Sequence, residues 1–501
     1  MKLKPATRFQ LVLSRRTRRA VLAVVVGGLL DFAAANAIAA DALPAPVVAA
    51  MTRAQLPPGS LSVYVREVSA AQPLFSVNAE LPRNPASVMK LLTTGAALEL
   101  MGPQFVWRTR LWTRADIVDG VLEGDLYVEA AGDPGLVRND LLELLRDLRA
   151  QGVRRIAGTI RIDRRVFDAL EFDEARFDGD VRKPYNAAPN ALLLGQKATA
   201  IKLMPSADGK SLAVRVDPLA DEASFRSDVR LVDGACADWR AALTLDTLPA
   251  GQLRLKGSYA LDCGVRTWYL NLWSADEYWR QAMGQSWREV GGESAGDAGR
   301  GFVVATGPIP ADAHVVSESV SAPLALRVRD INKYSNNVMA RELLISLGGW
   351  TTGKAGSPAS GIEAVRDWLR SAGIDAPELV IENGAGLSRI ERVSPAHLGQ
   401  LLTYLYRSRV MPEFIASLPL LALDGTMQRR LVGKSAAGYA HLKSGSLGND
   451  VDPATEVRAI AGYVLTRSGR RYVVVAIANG PGARGASPVS DALIQWLNEN
   501  G

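Results

Sequence analysis

Cysteine and histidine are scarce in this chain of 501 residues, with two of the first and three of the second. Neither falls in an H-E-x-x-H or paired C-x-x-C pattern, so a zinc site has no recognisable ligand set, and neither metal nor cofactor is expected. His314 and His397 stand outside any motif, which disfavours a Ser-His-Asp hydrolase. Beyond the N-terminus no apolar run is long enough to span a bilayer. Internal repeats and low-complexity segments are absent too.

An excess of one charge is also missing from most of the chain. The formal charge is +6, yet residues 1–39 hold Lys2, Lys4, Arg8, Arg15, Arg16, Arg18 and Arg19 against Asp31. The remainder is therefore close to neutral, and the basic pI gives no reason to expect a nucleic-acid partner. Those basic residues precede the apolar run Ala20 to Leu30 and the small residues Ala37-Ile38-Ala39-Ala40. This order predicts a secretory signal over 1–39, cut after Ala39 or Ala40, by the Sec or the twin-arginine route. A periplasmic protein with no transmembrane anchor after cleavage is expected. In that compartment Cys236 and Cys263 read as a disulfide, the alternative being two buried thiols.

Alternating apolar residues predict a hairpin from 61–68 and 73–77, then short strands at 106–112, 117–122, 125–130 and 156–163. Residues 198–265 read as β-rich. Helices are expected at 141–151, 268–290, 324–349, 361–373, 394–408 and 488–498. Further strands fall at 439–443, 458–465 and 471–478.

The chemistry centres on Pro85-Ala86-Ser87-Val88-Met89-Lys90, which opens an apolar helix. Serine and lysine three apart share a helix face, so Lys90 is placed to remove the proton of Ser87 if burial and a second cation lower its pKa. About two S-x-x-K matches arise by chance in a chain of this length. Two later motifs change the weight: Ser335-Asn336-Asn337 and Lys443-Ser444-Gly445. The ordered set S-x-x-K, S-x-N, K-[ST]-G belongs to penicillin-binding proteins and β-lactamases. If the three share a site, most of residues 113–300 loops out of one catalytic domain. That long insertion argues against a β-lactamase, and the intact Ser87 and Lys90 argue against a wall-binding scaffold without activity.

The chain resembles the class C low-molecular-mass penicillin-binding proteins, which are D-alanyl-D-alanine carboxypeptidases and endopeptidases. The likeness extends to Gly132-Asp133-Pro134, Pro184 to Pro189, the cysteine pair, Gly386-Leu387-Ser388-Arg389, Val393-Ser394-Pro395 and Asp424-Gly425-Thr426. It implies an α+β fold: an antiparallel sheet flanked by helices, of the penicillin-binding/β-lactamase-like kind, with nested β-rich insertions. The catalytic domain would comprise 45–112 and 301–501, inserted domain II 113–165 and 266–300, and inserted domain III 166–265. The resemblance further implies Ser87 as nucleophile and Lys90 as base, with Ser335 and Asn337 relaying protons and holding the substrate amide. Lys443 and Ser444 would bind the terminal carboxylate on an edge strand. Gly445 would leave room for substrate pairing, and the N–H groups of Ser87 and Ser446 would form the oxyanion hole. Peptidoglycan stem peptides are the implied substrates and β-lactams the implied inhibitors. Two departures stand out. Asn336 replaces a common Asp, and Asn383-Gly384-Ala385-Gly386 replaces D-G-S-G, which implies altered hydrogen bonding behind the site. His441, two residues before Lys443, shares its strand face and reads as structural or solvent-facing.

Overall fold

The computed structural model describes residues 43–219, 221, 224–248, 252–293, 302–448 and 452–501. The expected leader therefore lies outside the described residues. One five-stranded antiparallel sheet organises the molecule: β1 (Leu61–Glu67), β2 (Phe75–Val77), β3 (Ala440–Leu447), β4 (Val457–Leu465) and β5 (Arg471–Asn479). Their order is β3-β4-β5-β1-β2, so β3 is an edge strand and the two chain ends meet at β5–β1.

Strand periodicity sorts the side chains of this sheet into two cores. Ala459, Ala461, Tyr463, Val473, Val475 and Ile477 pack with α1 (Lys90–Met101), α2 (Leu324–Tyr334) and α3 (Asn337–Thr352). Ile460, Val464, Val474 and Ala476 face the opposite layer, where Val47 and Ala50 of helix Ala45–Arg53 meet Leu493 and Leu497 of helix Ser487–Asn500. Because both faces are covered, β4 and β5 read as nearly unbroken apolar runs. Helix α1 is buried almost all round, with only Glu99 and Leu100 outside the core among its residues, as suits a helix wrapped by others.

The segment between α1 and α2 folds around further sheets. Five strands, Arg108–Thr113, Leu126–Glu129, Ile160–Asp163, Val304–Thr306 and His314–Val320, form one of them. Helices Arg138–Ala150 and Ala275–Glu289 supply its core through Leu141, Leu145, Trp279 and Trp287. Two three-stranded sheets follow, Leu212–Asp217/Thr199–Pro205/Arg266–Leu270 and Phe225–Val232/Leu253–Ala260/Leu243–Thr247. They share a small core that includes Cys263, and Cys236 and Cys263 are bonded with sulfurs 2.05 Å apart.

One expected helix is shorter than its periodicity suggests. Residues 266–270 pair with Thr199–Leu203 instead of coiling. The helix starts at Ala275, after Ser274 caps it by accepting the Glu277 N–H. The tryptophan spacing that suggests one long helix is divided between a strand and a helix by this cap. Among the described residues no helix is long and apolar enough to cross a membrane.

Candidate active site

Ser87 sits in a single 3-10 turn, Ala86–Met89, and the α-helix begins only at Lys90. The turn is entered through Ala86 at φ +46°, a left-handed conformation that costs a non-glycine residue about 1 kcal/mol or more. Asn84 holds it there. Its side-chain oxygen accepts the Ala86 N–H at 2.9 Å and its amide donates to the Ser388 carbonyl at 2.8 Å. Two glycines pack against the turn. A Cβ at Gly445 would lie 2.5 Å from the Pro85 carbonyl oxygen, and one at Gly386 would lie 1.9 Å from that of Ala86. Gly445 is therefore needed where the edge strand touches the turn bearing Ser87, a physical reason distinct from room for substrate.

Lys90 is fully buried. Its Nζ lies 3.1 Å from Ser87 Oγ and 2.6 Å from Asn337 Oδ1, and it donates to the Ala385 carbonyl. Burial, then the charges of Lys443 and Arg341, hold its pKa well below the usual lysine range, against a smaller opposing pull from Glu391. Lys443 is likewise fully buried, and desolvation brings it down to about 7. Its Nζ donates to Ser335 Oγ and to the Ser444 carbonyl, each at 2.8 Å. Sequence-distant residues thus form two polar chains, Ser87–Lys90–Asn337 and Ser335–Lys443, close enough for Lys443 to act on Lys90 by charge.

The break between α2 and α3 builds the middle motif. Ser335 ends α2 in the left-handed region at φ +57°. Asn336 then caps α3 by accepting the Met339 N–H at 3.1 Å and donates to Gln196 Oε1 at 2.8 Å. Asp would cap as well, but it lacks the N–H for Gln196. One turn later Arg341 donates to the Ala187 carbonyl at 2.8 Å and to that of Tyr185. Glu342 Oε1 accepts the Asn190 N–H at 2.9 Å. The segment 184–190 of the insertion is thereby fastened to the helix that carries Asn337.

The third motif is set by the Asp424-Gly425-Thr426 loop. Asp424 pairs with Lys333 at 2.6 Å, and Thr426 Oγ1 lies 2.8 Å from Ser444 Oγ. A Cβ at Gly425 would meet the Lys333 carbonyl oxygen at 2.6 Å, so only glycine lets the loop approach. Arg458 donates to Ser446 Oγ at 2.8 Å.

Residues 45–500 match the D-Ala-D-Ala carboxypeptidase 3 (S13) family. The chain belongs to that family. It is a serine-type peptidase of the D-Ala-D-Ala carboxypeptidase class. It is 29% identical over 451 residues to the D-alanyl-D-alanine carboxypeptidase of Actinomadura sp., covering 87% of this chain and 81% of the relative. The corresponding enzyme of Haemophilus influenzae is 24% identical, with 85% of this chain and 87% of the relative covered. The crystal structure of penicillin binding protein 4 from Haemophilus influenzae superposes with a TM-score of 0.72 at 22% identity, over 90% of this chain and 99% of that one. This likeness shares the α+β architecture with its inserted sheets.

In this S13 carboxypeptidase the three motifs converge, while the histidines stay apart from them. His397 Nδ1 meets both Ser394 Oγ at 2.8 Å and Glu378 Oε1 at 2.7 Å. One ring nitrogen serves both partners and Ser394 is a buried helix cap, so this is no relay. His441 is partly buried beside Lys333, and both effects lower its pKa. Sequence reasoning missed Asn84, Arg341 and Glu391. Asn84 had a readable signal, because an asparagine bonding the backbone two residues on is a turn preference. The partners of the other two are distant in sequence and leave no local pattern. A cavity of about 670 Å³ opens beside the Asn383–Arg389 loop, lined by Phe172, Arg176, Phe177, Arg341, Leu387 and Arg389 among others.

Proposed function

We propose that the chain is a periplasmic serine DD-peptidase that cleaves D-alanyl-D-alanine bonds of peptidoglycan stem peptides through an acyl-enzyme on Ser87. The observation that carries this reading is the fully buried Lys90 Nζ at 3.1 Å from Ser87 Oγ. A buried amine crowded by a second ammonium favours its neutral form, and a neutral amine accepts the serine proton. Ser87 Oγ then attacks the carbonyl between the two D-alanines, and the oxyanion is held by the N–H groups of Ser87 and Ser446. Lys443 and Ser444 bind the terminal carboxylate, Asn337 orients the substrate amide, and Ser335 passes a proton to the departing amine. Water releases the acyl group by the reverse path.

The cavity beside Arg389 takes the stem-peptide side chain, since its aromatic walls and guanidinium groups suit a chain that is apolar along its length and charged at its end. In the domain division carried by this reading, 45–112 with 301–501 does the chemistry, while 113–165 with 266–300 and 166–265 limit access. Inhibition by β-lactams follows from the same carboxylate anchor. The Haemophilus influenzae neighbour, with a TM-score of 0.66, was solved complexed with a β-lactam.

The test combines D-alanine release from a pentapeptide with labelling by a fluorescent penicillin. We expect both signals from the wild type and neither from Ser87→Ala with an unchanged melting curve. A folded wild type that gives neither signal overturns the reading.

A further inference from the structure

Glu391 lies outside all three motifs, yet it is fully buried next to them. Its Oε1 accepts the backbone N–H groups of Glu382, Asn383 and Gly384 at 3.0, 3.0 and 3.2 Å. These amides open the turn whose next residue, Ala385, offers its carbonyl to Lys90 Nζ. The Gly384 carbonyl is fixed from the other side by Thr93 Oγ1 at 2.7 Å. Asn383 adds two bonds inside the turn, accepting the Ala385 N–H and donating to the Leu387 carbonyl, both at 2.9 Å. A single carboxylate thus gathers three donors of the turn that aims one carbonyl at the lysine.

Charge gives a second argument. The cations facing Lys90 are Lys443 and Arg341, and Glu391 is the anion that opposes them. Other nearby carboxylates are occupied elsewhere: Glu342 faces the Asn190 N–H, and Glu382 pairs with Arg176 at 2.6 Å. Position 383, where the resembled pattern has Asp, is the neutral Asn383.

We propose that Glu391 is a positioning residue of this peptidase: it holds the Ala385 carbonyl on Lys90 and supplies from position 391 the negative charge that position 383 lacks. The proposal rests on reading Lys90 as the base of Ser87. A buried carboxylate oxygen receiving three amides is a rigid clamp, because releasing it would strand three donors away from water. Burial raises the Glu391 pKa, and those three N–H groups and the Lys90 charge work against that rise to favour the anion. Its charge also acts on the lysine through a low-dielectric interior, where pairwise effects are strong.

The test measures acylation by benzylpenicillin from pH 5 to 9 in wild type, Glu391→Gln, Glu391→Leu and the pair Glu391→Gln/Asn383→Asp, with thermal melts of each. Glutamine keeps the shape and one acceptor oxygen. We expect it to fold, with the midpoint of the acid limb moved to lower pH, because losing the anion lets neutral Lys90 persist there. The double variant should move the midpoint back toward the wild type. Glu391→Leu forfeits the clamp, and displacing a catalytic contact by about 1 Å costs on the order of 100-fold in rate. A folded Glu391→Gln with the wild-type midpoint overturns the proposal, as does Glu391→Leu acylated at the wild-type rate. If Glu391→Leu does not fold, the glutamine profile decides. A Ser87→Ala control that still labels would instead overturn the assignment of nucleophile and base, so the two failures are distinguishable.

Discussion

Asn84 and Asn479 exchange two hydrogen bonds across 395 residues of sequence: the Asn479 amide oxygen accepts the Asn84 N–H at 2.7 Å, and its nitrogen donates to the Asn84 carbonyl at 3.0 Å. This pair fastens the turn carrying Ser87 to the end of β5. Since the Asn84 side chain also holds the left-handed Ala86, the central sheet and the turn bearing Ser87 are joined through one residue.

Replacing Asn479 with alanine should therefore lower both stability and rate. It leaves one N–H and one carbonyl of Asn84 without partners, at about 1–3 kcal/mol. Urea unfolding measures that loss. Penicillin labelling of protein shown to be fully folded should fall by about 10-fold or more, because the turn shape is no longer imposed. Equal labelling would show that the turn keeps its shape unaided.

Gly445→Ala separates two roles for that glycine. If the residue matters only for substrate pairing, an added methyl group would weaken peptide binding and leave penicillin acylation unchanged. The contact with the Pro85 carbonyl predicts otherwise: a Cβ would stand at 2.5 Å, and overpacking of this kind costs about 1–3 kcal/mol. We expect loss of acylation by penicillin as well as by peptide, with a lowered melting temperature.

Legibility in the sequence follows the range of the interactions. Local periodicity was enough for β1, β4 and β5 and for the edge strand bearing Lys443, because each alternates or runs apolar within a few residues. The residues of the proposed site were visible because S-x-x-K and K-[ST]-G fall in short spans, and the structure brings them together. Residues 268–270, expected as the start of a helix because Trp268 fits either period, complete the strand Arg266–Leu270, and the decision lies with its pairing to Thr199–Leu203. Arg341 sits at a helical position that resembles a solvated face. Its burial depends on the Tyr185 and Ala187 carbonyls, which come from the insertion. The departures at Asn336 and Asn383 were visible as letters. Their consequences were not, since Gln196 and Glu391 lie elsewhere in the chain.

Arg341→Met should act on both the insertion and the chemistry. Burial lowers the Arg341 pKa to about 10, and the side chain is still a cation at neutral pH. Removing it leaves two carbonyls of the insertion without donors, at about 1–3 kcal/mol. Limited proteolysis should then open the 171–190 region first. It also removes a charge that holds the Lys90 pKa down, so the acid limb of acylation should move to higher pH. A shift to lower pH would be inconsistent with the charge arrangement.

Lys443→Met should raise stability while abolishing recognition of a carboxylate. The folded-state pKa of Lys443 is lowered from 10.5 to about 7 by burial. Below pH 7 the side chain is protonated in both states and the full cost of burying the charge is present. Between pH 7 and 10.5 the unfolded chain binds a proton that the folded chain does not, so wild-type stability rises with pH through this window. Above it the cost is gone. A displacement from 10.5 to about 7 corresponds to roughly 4–5 kcal/mol. From this the variant forfeits bonds to Ser335 Oγ and the Ser444 carbonyl, about 1–3 kcal/mol. The variant should thus be more stable than the wild type by about 1–4 kcal/mol at pH 6, an advantage that shrinks as the pH rises above 7 and is gone by pH 10. Urea unfolding at several pH values measures it, alongside D-alanine release, which should be lost throughout. A variant destabilised equally at every pH would mean that Lys443 is compensated by an anion inside the fold rather than left for the carboxylate of a substrate.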